Sequence, residues 1–237
     1  MLNETFFING IDARSVGIYL ERPISFEEPT PDVETEPVAG RNGDLLFYSG
    51  TYLNRSASAN CFALKENVLS IIGSINKFLI ANKGYQKLAT SDDSEHYWMA
   101  RVVNGASIAQ RMRTLNPFSI EFDCKPQRFL LSGEESIEFT EDGAIINRYG
   151  FPASPIIRVN GSGSGVLNIG SFRVNILNLD EKGIVLDSDT MNAYNNDGNK
   201  NMSINADEFP LLVDGENSVS FTGGIDSVEI VPRWWEL

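Results

Sequence analysis

Phe118-Ser119-Ile120-Glu121-Phe122-Asp123-Cys124 alternates without a break, every even-numbered residue apolar and every odd-numbered one polar. Successive side chains of an extended chain point to opposite faces, so this stretch reads as a strand with one buried and one solvated face. Shorter runs of the same period surround it: Ile137-Glu138-Phe139, Ile157-Arg158-Val159, Phe172-Arg173-Val174-Asn175-Ile176 and Val219-Ser220-Phe221. Turn chemistry separates them. Among 20 Gly and 22 Asn are Asn-Gly pairs at 9–10, 42–43, 104–105 and 160–161, and Asp-Gly pairs at 142–143, 197–198 and 214–215. Such pairs tolerate the positive φ of tight hairpins. The chain therefore reads as mainly β.

One segment has a different period. From Glu66 to Ala81 the residues Val68, Leu69, Ile71, Ile72, Ile75, Phe78 and Leu79 gather on one helical face, with Gly84 placed to end the helix. An amphipathic helix of this kind is expected to cover a sheet. A membrane-surface role would want more flanking cations than Lys77 and Lys83. The stretch Glu27–Pro37 interleaves Pro29, Pro31 and Pro37 with Glu27, Glu28, Asp32, Glu34 and Glu36, which excludes helix and central strand and predicts a solvated loop. The polar stretch Pro126–Ser136 marks a boundary, giving domains 1–128, with its helix at about 66–81, and 129–237, each of ordinary domain size.

Composition narrows the function. At 237 residues, 42% apolar and 22% charged, the chain can bury one large core or two smaller ones, and no run is long and apolar enough to span a membrane. No secretory signal is visible in Met1-Leu2-Asn3-Glu4-Thr5, so a cytoplasmic origin is expected. With 32 acidic and 19 basic residues the net charge is −13, which argues against a general nucleic-acid surface. The halves differ: 12 basic and 15 acidic residues up to Lys125 give −3, and 7 and 17 from Pro126 give −10. Cys61 and Cys124 fit no zinc or redox spacing and are expected to be buried reduced thiols.

Catalytic chemistry finds little to work with. His96 is the single histidine, so every Ser-His or Cys-His arrangement rests on it, and its setting in Asp92-Asp93-Ser94-Glu95-His96-Tyr97 predicts an exposed turn residue. Asn160-Gly161-Ser162-Gly163-Ser164-Gly165 matches no phosphate-loop or nucleophile-elbow pattern and is expected to form a hairpin. Asn192–Asn205 resembles a calcium loop, but with Gly198 sixth the first and twelfth positions are Ala193 and Ile204, so a solvated loop is expected. The carboxylate pairs Glu27/Glu28, Asp92/Asp93 and Glu134/Glu135 are chance neighbours that strand geometry would point apart. Trp234-Trp235 is expected to send one ring inward as an anchor. No catalytic, cofactor-binding or metal-ligating residue is expected, and no enzyme.

Several stretches taken in order carry a resemblance. Phe6-Phe7-Ile8-Asn9-Gly10-Ile11-Asp12 with Val16-Gly17-Ile18, then Gly40-Arg41-Asn42-Gly43-Asp44 leading to Gly50-Thr51-Tyr52-Leu53-Asn54-Arg55, the helix, Lys87-Leu88 and Tyr97-Trp98-Met99-Ala100-Arg101-Val102 resemble the N-terminal half of siphophage distal tail proteins. Pro155-Ile156-Ile157-Arg158-Val159-Asn160-Gly161-Ser162-Gly163, Phe209-Pro210-Leu211-Leu212, Gly215-Glu216-Asn217-Ser218-Val219 and Pro232-Arg233-Trp234-Trp235-Glu236-Leu237 are similar to the C-terminal half. The resemblance implies two β-sandwiches, the first with a helix packed on its sheet and the second galectin-like. It implies a homohexameric virion protein at the tail tip, assembled in the host cytoplasm. Its partners would be the major tail tube protein, the tail-associated protein and, in some members, receptor-binding or baseplate proteins, with DNA passing through the channel without specific binding. No cofactor or catalytic residue comes with the family. One departure bears on interdomain geometry: Gln127 and Arg128 follow Pro126 where many members have an aromatic. The alternative reading is a carbohydrate-binding module that recognises a host cell-wall saccharide through Trp, Tyr and Asn-rich loops.

Overall fold

A computed structural model describes residues 4–64, 68–80, 84–104 and 115–237. The chain divides into two compact units, one of residues up to Arg128 together with Leu237, the other Phe129–Glu236. Both are β-rich, and the one α-helix among the described residues belongs to the first. This is the mainly β, one-helix architecture that the two periods in the sequence predict.

The first unit contains β1 (Phe6–Ile8), β2 (Ile11–Asp12), β3 (Tyr19–Leu20), β4 (Ser25–Phe26), β5 (Pro31–Glu36), β6 (Leu45–Tyr52), β7 (Arg55–Leu64), α1 (Val68–Ile80), β8 (Gln86–Thr90), β9 (His96–Val102) and β10 (Leu115–Leu130), the last running on past Arg128. Its main sheet has the order β2-β1-β8-β9-β10-β7-β3, with β4 also on β7. Asn9-Gly10 makes the expected tight turn between β1 and β2, with φ of 50° and 79°. In β10 the even residues Phe118, Ile120, Phe122 and Cys124 are buried, as their alternation predicts. Across the ladder from them stand Cys61, Ala59, Ala57 and Arg55. Small side chains on β7 thus face large ones on β10, which leaves room for α1.

Ile75 and Leu79 of α1 are fully buried in this core and Phe78 packs against it. Each such burial contributes roughly 2 kcal/mol. Phe6 lies between, its ring centroid 6.3 Å from Phe78 and 5.9 Å, edge-on, from Phe122. Of the expected helix, residues 66, 67 and 81 and the side chains of Val68, Leu69, Ile71 and Ile72 lie outside the described residues. The acidic Pro-rich stretch differs from expectation. Rather than a loop, residues Pro31–Glu36 form β5, which pairs with β6 in a separate two-stranded sheet. Proline excludes a central strand, but in a two-stranded hairpin each strand keeps a free edge that tolerates the missing donor.

The second unit contains β11 (Ile137–Phe139), β12 (Gly143–Asn147), β13 (Ile156–Ile169), β14 (Phe172–Leu179), β15 (Ile184–Asp187), β16 (Asn192–Asn195), β17 (Gly198–Asn199), β18 (Ile204–Ala206), β19 (Gly215–Val231) and β20 (Trp235–Glu236). The order β11-β19-β13-β15-β16-β17 is extended by β12 on β19, β14 on β13 and β18 on β14. The two longest strands pair with each other and change partners halfway. The first part of β13 lies against β15 and its second part against β14, while β19 meets β12 first and β11 later. Residues from both halves, Ile157, Val159, Leu167 and Ile169 on β13 with Val219, Val228 and Ile230 on β19, share one core. The paired strands therefore bend over on themselves, and one hydrogen-bonded sheet supplies both layers of a sandwich.

The bend falls on the glycine-rich run, which is not the expected hairpin. Register shifts lie between Asn160 and Gly161 and between Gly161 and Gly165, and the facing strand brings Gly223-Gly224 to the same place. A Cβ on Gly161 would meet the Gly224 carbonyl oxygen, and one on Gly224 would meet that of Ser162. Glycine is required here because backbone takes the space of a side chain. The inward positions of β19 switch from odd (Val219) to even (Val228, Ile230) across the bulge, as one extra residue demands.

The expected consequence separates two substitutions. Gly224→Ala forces backbone apart and should cost about 2–4 kcal/mol. Gly163→Ala, at φ 85° with open space around it, should cost only about 1 kcal/mol. Thermal melts of the two variants check the order, and equal losses would show that the bend does not depend on Gly224.

Candidate functional site

Each residue proposed from the sequence has a definite place. His96 opens β9 and is half-buried, not exposed, because its ring folds back on the preceding turn. Nδ1 lies 2.8 and 3.0 Å from the two oxygens of Asp93. The same carboxylate accepts the backbone N–H groups of Glu95 and His96 at 3.1 and 3.2 Å. Burial pushes the Asp93 carboxyl up, and the hydrogen bonds from His96 and Glu95 outweigh it, holding the group below its ordinary value. An Asp–His pair inside one turn is a turn-closing device. The carboxylate holds the imidazole and the backbone of the same turn together.

Cys61 and Cys124 are free and buried on β7 and β10, and burial pushes both thiols up to about 12. Nucleophilic use needs a thiolate near neutral pH. Among the described residues no group of three or more His, Cys, Asp or Glu is arranged to hold a metal ion.

Asn192–Asn205 forms β16, β17, a short 3-10 turn and the start of β18, where a solvated loop is expected. Its asparagines are spent on one another. Asn199 and Asn201 donate to Asn192 Oδ1 at 2.9 and 3.0 Å, Asn201 Oδ1 accepts from the Ala193 N–H at 2.6 Å, and Asn195 Oδ1 accepts from the Asp197 N–H at 2.9 Å. Side chains that mimic turn hydrogen bonds explain the composition without a cation. Trp234 is buried, as expected for an anchor. Trp235 is half-buried, with one ring face stacked on Phe151 at 4.5 Å and its N–H donated to the Pro152 carbonyl at 3.0 Å.

The most unusual surface is the β5–β6 hairpin. Leu46, Phe47 and Tyr48 are 53%, 51% and 68% exposed, and Val38 and Leu53 at the hairpin's ends are 40% and 50% exposed. Three consecutive residues of one strand point to both faces, so both sides of the ribbon are apolar and open. Asp32, Glu34 and Glu36 line the partner strand. The tip is the Gly40–Asp44 turn, with Gly40 and Gly43 at φ of 81° and 83°. A two-stranded ribbon is marginal in water, and contiguous exposed apolar side chains mark contact surfaces. The sequence signal for it, the four large residues Leu45-Leu46-Phe47-Tyr48 in a row after an acidic Pro-rich stretch, was present at 45–48.

No protein-family model matches the chain, and no curated protein matches it by sequence. In fold the chain is similar to the Dit (gp 19.1) protein of SPP1, described as a paradigm of the hub adsorption apparatus in phages that infect Gram-positive bacteria, with a TM-score of 0.72 and 12% identity. The likeness covers 96% of this chain and 97% of that one. At that identity the comparison speaks for the fold, across both units.

Both thiols should stay silent toward a thiol reagent at pH 8 in the folded protein and react fully once it is unfolded. A native-state pKa of about 12 above the ordinary 9.0 means that the unfolded chain gives up these protons first. The stability they contribute is intact below about pH 9 and is lost as pH rises from there toward 12. Rapid labelling of the native protein at pH 8 would contradict their burial.

Proposed function

We propose that this chain is a structural subunit of a phage tail tip, six copies of which close into a hub between the tail tube and the tail-associated protein. The observation that carries the reading is the full-length likeness in fold to a hub protein, together with the ordered sequence resemblance in both halves. A closed ring needs two different complementary patches on each subunit. The exposed β5–β6 hairpin is suited to be one of them, because burying Leu46, Phe47 and Tyr48 against the next copy removes an apolar surface that a lone chain leaves in water. The channel of such a ring would pass DNA without gripping it, in keeping with the acidic balance of the chain.

The saccharide-binding alternative draws less support. The amides of Asn192, Asn199 and Asn201, and the N–H and one face of Trp235, are engaged within the protein.

Light scattering and electron microscopy at micromolar concentration should show rings of about six times the chain mass. A strict monomer, even with tail tube protein present, would overturn the hub reading. Replacing Phe47 and Tyr48 together by serine should abolish the ring while changing the unfolding free energy of the dissociated chain by less than about 0.5 kcal/mol, as for exposed positions. Intact rings in that variant would remove the hairpin from the interface.

A further inference from the structure

The inward row of β7 begins with a charge. Ala57, Ala59, Cys61 and Ala63 face the core, and Arg55, two residues earlier on the same face, is equally enclosed at 8% exposure. Its Cζ lies 5.7 Å from the ring centroid of Phe26 and 5.8 Å from that of Trp98, and those rings stack on each other at 4.1 Å. Among the described residues no carboxylate comes within ion-pair distance of Arg55. Its Nε is buried without a hydrogen-bond partner, and so is Nε1 of Trp98, which is 5% exposed.

Arg55 and Trp98 both line a cavity of about 480 Å³, which Phe26, Glu28, Asp93, Arg128 and Leu237 also line. That volume suits a small ligand or a single side chain. An enclosed guanidinium without a counter-charge is costly, and burial lowers its pKa accordingly. The nearby acids do not meet the need. Asp93 is committed to His96 and the backbone of its turn, and Glu28 is exposed.

We propose that this cavity is a carboxylate-binding site, in which Arg55 takes the carboxylate and Trp98 Nε1 supplies a further hydrogen bond. A planar carboxylate matches the guanidinium fork and satisfies donors that the fold leaves open. The acids around the cavity, Glu28, Asp92 and Asp93, set its selectivity. They repel a dianion more than a monoanion, so the site prefers a carboxylate to phosphate. The carboxylate is that of a small molecule or of an acidic side chain on a second copy, and the site is independent of the hub reading.

Acetate is the probe, and the indole N–H resonance of Trp98, assigned with Trp98→Phe, is the readout. In dilute protein that resonance should move saturably with a dissociation constant of about 1–10 mM, in line with a ligand of so few atoms. The resonances of Trp234 and Trp235 should stay in place, and phosphate at the same ionic strength should bind more weakly. Arg55→Met should weaken acetate at least ~10-fold, and Glu28→Gln, at an exposed position, should tighten it about 2-fold. A Trp98 shift that grows with protein concentration and is reversed by acetate would assign the natural carboxylate to a second copy. No movement of the wild-type resonance up to about 200 mM acetate, or equal movement with chloride, would overturn the proposal whether or not Arg55→Met folds.

Discussion

The β7–β10 ladder holds the first unit together by matching size against size. Phe118 faces Cys61, Ile120 faces Ala59 and Phe122 faces Ala57, so each bulky residue of one strand stands over a small residue of the other. Interiors pack to near-crystalline density, and two rows of large residues side by side would have left no place for a helix. Because β7 is lined with alanine, α1 approaches closely enough to bury Ile75 and Leu79, and Phe6 reaches both Phe78 and Phe122. The same register ends by inverting the rule. Opposite Cys124 the large residue is on β7, and it is Arg55. The charge sits inward because a one-residue slip to expose it would turn Ala57, Ala59 and Cys61 outward as well.

The second unit solves a different problem with its backbone. A strand of 14 residues paired to one of 17 is about 45–55 Å of ribbon, roughly two to three times the usual strand length. Bending that ribbon lets the same pair of strands serve two layers, with the ladder shifting register at the bend, where bulges bring carbonyl oxygens to where side chains would stand. The Gly161 and Gly224 positions absorb that conflict.

What could be read from the sequence follows from the range of each interaction. The Phe118–Cys124 alternation, the inward Ile75, Phe78 and Leu79 of the helical face, the Asn9-Gly10 turn and the inward Trp234 depend on local conformation and one buried face, and the structure places these as read. The glycine run misleads because its conformation is set by Gly223-Gly224, some sixty residues away, and an isolated Asn-Gly pair carries no record of its partner. Pro31–Glu36 becomes a strand only because β6 lies beside it. The asparagines of 192–201 gave a composition signal but not its use, since the bonds among them depend on how the hairpin closes. Arg55 escaped because Arg-Ser-Ala-Ser-Ala-Asn-Cys has little hydrophobic contrast, and only the buried row shows that its arginine is out of place.

Exposure of the β5–β6 ribbon and burial of Arg55 are complementary departures from the same rule. Apolar side chains lie in water on β6, and a charge lies in the core at the next strand, Arg55 following Tyr52 by three residues. A chain that functioned alone would gain by exchanging the two, since each costs stability and neither is needed to complete the fold. Two such departures on adjacent strands make sense if the free subunit is not the state the sequence serves. Covering Leu46, Phe47 and Tyr48 would restore the hydrophobic term, and supplying a carboxylate to Arg55 would restore the electrostatic one. Both deficits are of the kind that binding makes good, which ties the stability of this unit to the company it keeps.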